Sequence, residues 1–104
     1  MQLHILDLLP LEELLKLLFN PVSRGMQEMA QLLIRRRCIA ELQAKRQLLR
    51  YHAHRARGRN MTIQASQKES ELRATEQWLL NLQGQPSLQE VKDSATLLLL
   101  RQPD

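Results

Sequence analysis

At 104 residues with a net charge of +4, the chain has room for one small domain. Leu dominates a hydrophobic fraction of 43%, Phe19, Tyr51 and Trp78 are the only aromatics, and Val, Ile and Thr are sparse, which argues against a strand-rich fold. The single cysteine, Cys38, excludes an internal disulfide.

Leu, Gln, Arg, Glu, Ala and Lys are strong helix formers, and the few Gly and Pro residues fall at apparent helix ends, so an all-α fold is expected. No apolar run approaches the ~20 residues that cross a bilayer. The Leu-rich N-terminal stretch is interrupted by Asp7, Glu12 and Glu13 and has no basic residue ahead of it, a poor fit to a secretory leader. The expected setting is a reducing cytoplasm.

The first helix is expected over about residues 9–19, with Leu8, Leu11, Leu15 and Leu18 on one stripe, Leu14 and Leu17 widening it, and Pro10 in its first turn. The lead-in from Leu3 to Leu8 reads as either an extra turn or an extended arm. Asn20-Pro21 closes the element. Two overlapping LxxLL patterns, at Leu11–Leu15 and Leu14–Leu18, follow from the density of Leu. The run from Leu9 to Leu15 resembles the opening of an F-box, and nothing downstream extends that resemblance.

A second helix is expected over about 23–57, with Ser23 as N-cap. Its seam reads Leu32, Ile39, Leu42, Leu49, Ala53 and Ala56, with Arg35 and Arg46 intruding. Met26, Met29, Ala30 and Leu33 form an offset patch in the first turns, so this helix should bury different faces along its length. Gly58-Arg59-Asn60 is the break, with Gly58 suited to a left-handed residue after the helix and Asn60 or Thr62 suited to cap the next one.

The third helix, about 62–83, carries Ala65, Leu72, Leu79 and Leu82 on a heptad seam with Lys68 and Thr75 as weak members, and stops at Gly84. Ser87-Leu88-Gln89-Glu90 is a capping box that opens a fourth helix over about 88–101, and Gln102-Pro103-Asp104 reads as a frayed tail. The short break between two long helices implies an antiparallel pair. The expected architecture is one domain over 1–104: a long antiparallel helical hairpin flanked by two short Leu-rich helices.

Charge is divided unevenly. Residues 24–59 hold ten Lys or Arg against Glu28 and Glu41, whereas the segments on either side are each net −2. In the hairpin register, Glu69, Glu71 and Glu76 should meet Arg50, Arg46 and Lys45. Two Arg clusters are left over: Arg35, Arg36 and Arg37, and, at the turn, Arg55, Arg57 and Arg59.

No arrangement for catalysis emerges. Cys38 and His52 are fourteen positions apart on one helix, about 21 Å by its rise. His52 and His54 are two apart, so they diverge and make a poor metal pair. No cofactor, metal or small-molecule substrate is expected, and the chain reads as a non-enzyme. The leading expectation is a small protein-interaction module (a regulator, adaptor or chaperone) that binds a helical partner or itself through Leu11, Leu14, Leu15, Leu18, Met26, Met29, Leu98 and Leu99. The alternative is a basic helical nucleic-acid binder using Arg35, Arg36, Arg37, Arg55, Arg57 and Arg59.

Overall fold

A computed structural model describes residues 8–20 and 23–101. The expected N-terminal lead-in (apart from Leu8), Pro21 and the C-terminal tail lie outside them. The described chain is all-α: α1 (Leu11–Phe19), α2 (Arg24–Gly58), α3 (Thr62–Gln83) and α4 (Leu88–Arg101). α2 is continuous over 35 residues, about 50 Å at the usual rise.

The helix ends follow local chemistry. Pro10 is extended (ψ 159°), so it precedes α1 instead of sitting in its first turn; its carbonyl accepts from the N–H groups of Glu13 and Leu14 at 3.0 and 3.1 Å. At the head of α2, the Ser23 hydroxyl accepts from the Met26 N–H at 3.2 Å. The capping box forms at α4: Glu90 N–H donates to the Ser87 hydroxyl at 3.1 Å, and Ser87 N–H donates to the Glu90 carboxylate at 3.3 Å.

The turn after α2 differs from expectation. Gly58 is the last helical residue, and the left-handed residue is Asn60, at φ 60°. Met61 N–H reaches the Ala56 carbonyl at 2.9 Å and Asn60 N–H reaches the Arg57 carbonyl at 3.1 Å, the paired bonds of a Schellman closure. Asn60 therefore ends α2 and does not cap α3. The residue ahead of α3 is Met61, which supplies no side-chain cap.

The chain divides into two compact units, residues 1–38 with 85–104, and Ile39–Gly84. In the first, α1 packs against α4. Its interior is built from Leu11, Leu14 and Leu18 of α1, Ala30, Leu33, Ile34 and Cys38 of α2, and Val91, Ala95 and Leu98 of α4. The expected seam member Leu32 is 38% exposed, because the adjacent positions Leu33 and Ile34 turn inward instead. Lys92 lies 4.7 Å from the centre of the Phe19 ring, joining α4 to the end of α1.

The second unit is the hairpin. Leu42, Leu49, Ala53 and Ala56 are buried on α2, and Ala65, Thr75, Leu79 and Leu82 on α3. Small residues lie next to the turn and large ones farther from it. Thr75, read from sequence as a weak seam member, is only 3% exposed.

Candidate interaction surfaces

Two features of the hairpin unit stand apart from its interior. The first is the outer face of α2. Ala40, Ala44, Leu48 and Tyr51 recur at spacings of four, four and three, which places them on one side of the helix, away from Leu42, Leu49 and Ala53. All four are exposed, Leu48 at 57% and Tyr51 at 53%. Two alanines followed by a leucine and a tyrosine make a shallow strip on which another helix could lie close.

The second is a groove of about 530 Å³ beside the hairpin turn, lined in part by His52, Arg55, Arg59, Gln64, Gln67 and Lys68. No carboxylate lines it. Its chemistry follows from an asymmetry in the sequence: between Leu42 and Lys68 the chain carries seven Lys or Arg and no Asp or Glu. The acidic residues of α3 lie farther from the turn; Glu71 lies against Lys68 at the groove's edge, and Glu69 and Glu76 engage cations outside it. Glu69 takes Arg57 through two hydrogen bonds, the longer at 3.2 Å from Nε, and Glu76 takes Arg50 at 3.1 Å. The hydrogen bond from Arg57, followed by the charge of Glu69, raises the Arg57 pKa above its ordinary value against a small opposing desolvation.

Arg55 donates to the Tyr51 hydroxyl at 2.8 Å and lies 5.9 Å from the centre of that ring, and the His52 ring meets Tyr51 edge-on at 5.5 Å. Tyr51 thus holds Arg55 in place without neutralising it. The first turn of α3 contains no acidic residue.

These pairings revise the register expected from sequence. Arg50 meets Glu76, and Glu69 meets Arg57. Glu71 lies 3.9 Å from Lys68 on its own helix. The long Arg side chains reach obliquely between the helices.

The Arg cluster at 35–37 is not a single surface. Arg37 donates to the Leu9 carbonyl and is half-buried, Arg35 is half-buried, and Arg36 is exposed. Consecutive helical residues point about 100° apart, so three in a row cannot aim at one ligand. The turn cluster is also divided: Arg57 is committed to Glu69, while Arg55 and Arg59 line the groove.

Of the residues first considered for partner contact, Leu11, Leu14, Leu18 and Leu98 are buried in the chain's own interior, and Leu15, Met26, Met29 and Leu99 are half-buried. Exposed instead are Leu8 ahead of α1, Phe19 at its end, and Leu97 and Leu100 of α4. The strip at Ala40–Tyr51 was missed by following a single seam along α2; a second heptad phase on the same helix, Ala44, Leu48 and Tyr51, was the available signal.

Among the described residues no group of three or more His, Cys, Asp or Glu could hold a metal ion, and no helix is long and apolar enough to cross a membrane. Comparison with family models, curated proteins and solved structures gives no match to this chain.

Proposed function

We propose that the chain is a non-enzymatic helical interaction module, a regulator, adaptor or chaperone by role, which binds a helical protein partner or a second copy of itself. The carrying observation is the exposed strip Ala40, Ala44, Leu48 and Tyr51 on α2. Small residues let two helix backbones approach, and a leucine and an aromatic residue one turn on supply the contact area that dominates helix-on-helix binding. Leu11, Leu14, Leu18 and Leu98 fill the first unit's interior, so the reading rests on the α2 face, with half-buried Leu15, Met26, Met29 and Leu99 as the remaining expected contacts.

The test combines sedimentation velocity over a wide concentration range with a photo-crosslinking residue at Ala44 in extracts of the native host. Association, or one recurrent crosslinked partner, should be seen with the parent chain and lost with Leu48→Glu and with Tyr51→Glu. A protein that stays monomeric and yields no crosslink at this position removes the reading.

A further inference from the structure

We infer that the groove beside the hairpin turn is a binding site for the phosphate groups of a nucleic-acid backbone, with Arg55 and Arg59 as the principal contacts and Lys68 at its margin. Four observations converge on it. The groove is open, about 530 Å³, and has basic and amide side chains on its walls. The surrounding sequence is of one sign, with seven cations and no anion from Leu42 to Lys68. The carboxylates of α3 engage cations other than Arg55 and Arg59: Glu69 is bound to Arg57, Glu76 to Arg50, and Glu71 lies 3.9 Å from Lys68. Arg55 is oriented by the Tyr51 hydroxyl, so part of the cost of ordering its long side chain is met before any ligand arrives.

Arginine is the residue suited to this task. Its planar guanidinium presents paired donors that match two phosphate oxygens, and it stays charged at any working pH. Gln64 and Gln67 on the opposite wall supply neutral donors and acceptors suited to phosphate and sugar oxygens.

An acidic protein segment fits less well. Arg clusters do take acidic peptide motifs, but many peptide-binding modes add apolar anchors seated in pockets or grooves. Among the lining residues only Ala56 and Met61 are apolar. A polymer that repeats its charge at regular intervals and asks for little apolar contact matches this wall better. The site differs from the Leu48 strip in chemistry and shares Tyr51 with it; replacing Arg55 and Arg59 leaves Leu48 untouched, and Leu48→Glu leaves the Tyr51–Arg55 contact in place.

The experiment is fluorescence anisotropy with labelled mixed-sequence single- and double-stranded oligonucleotides, over a salt titration starting near 50 mM. The parent chain should bind with an affinity that falls steeply with salt. Each phosphate contact contributes about 0.9 to the logarithmic salt slope on duplex and about 0.7 on single strands. Arg55→Gln with Arg59→Gln should therefore lower the slope by about 1.4 to 1.8 and weaken binding roughly tenfold or more at low salt. Gln67→Glu, which places a carboxylate in the groove, should weaken binding without lowering the number of cations.

Arg24→Gln with Arg73→Gln removes the same net charge at exposed positions outside the groove and should barely change the slope. Circular dichroism should show all variants folded, since the altered side chains are exposed. Absence of binding at low salt, or an equal loss in the Arg24/Arg73 control, overturns the inference. Displacement of the oligonucleotide by polyglutamate at matched charge would reassign the groove to an acidic polypeptide. Inorganic phosphate binding as tightly as the oligonucleotide would reassign it to a free anion.

Discussion

Arg57 and Glu69 join the two arms of the hairpin beside the turn, twelve positions apart in sequence, through two hydrogen bonds from one guanidinium to one carboxylate. Both side chains remain substantially solvated, at 55% and 36% exposure. Water and salt therefore screen the pair, and its contribution to stability is small. Its larger effect is on the neighbouring field, because it withdraws one cation from the turn. Glu69→Gln should leave the thermal midpoint nearly unchanged while strengthening oligonucleotide binding at low salt, since Arg57 then joins Arg55 and Arg59. A large fall in the midpoint would show that the pair fixes the hairpin. Unchanged binding would show that Arg57 lies beyond the ligand's reach.

The turn makes a sharper statement about stability. Asn60 is the residue with a left-handed backbone (φ 60°), and a Cβ built on Gly58 meets nothing within 4 Å. Asn60→Val should cost about 1–2 kcal/mol, the usual penalty for a side chain forced into that region. Asn60→Gly should be close to neutral, because glycine adopts the same conformation freely. Gly58→Ala should stabilise by about 0.5–1 kcal/mol, as expected where a helical glycine gains a methyl group without a clash. Urea unfolding of the three variants checks all of this, and destabilisation by Gly58→Ala would contradict the assignment of the turn.

Much of this was legible in the sequence, for reasons that the turn illustrates by contrast. The capping box at Ser87 and Glu90 and the Ser23 cap are set by residues three apart, so local chemistry decides them. The break after α2 was equally plain. Which of two nearby residues would turn left-handed was not, because Gly58 and Asn60 both tolerate that conformation and the choice depends on how far α2 propagates.

Facing was harder to read. Leu32 and Leu33 are interchangeable by composition, and only the packing of the first unit turns Leu33 inward. The bond from Arg37 to the Leu9 carbonyl spans 28 positions and leaves no periodic trace. A row of three arginines therefore looked like one free patch, although Arg37 is already engaged. The groove by the turn required knowing which cations Glu69 and Glu76 would take. That depends on a side-chain register finer than the backbone pairing.

Leu79 and Leu48 offer a direct contrast between interior and surface. Leu79 is 1% exposed, whereas more than half of Leu48 is open to solvent. Leu79→Ala should cost about 2–5 kcal/mol, the transfer term plus that of the cavity left behind. Leu48→Ala should change stability by no more than about 0.5 kcal/mol. Chemical denaturation of the isolated chain measures both. A large loss at Leu48 would mean that this side chain supports the fold, and the interaction strip would lose its central residue.

Arg46 occupies a seam position between Leu42 and Leu49 on the side of α2 that faces the hairpin interior. The residue is half-buried, and its Nε atom is buried without a hydrogen-bond partner. A buried donor left in that state costs about 1–3 kcal/mol. Arg46→Leu removes the donor while keeping an apolar stem in the seam, and should raise stability by about 1 kcal/mol with an unchanged denaturant slope. The substitution also removes a constraint. The introduced leucine would join Leu42 and Leu49 in an unbroken apolar row, and a polar seam residue is a known way of restricting which helices pair and in what register. Arg46→Leu should therefore increase self-association in sedimentation velocity at high concentration. If stability rises and the protein remains as monodisperse as the parent, Arg46 carries an uncompensated donor with no role in pairing. If stability falls by more than about 1 kcal/mol, the remaining guanidinium nitrogens must outweigh the buried one.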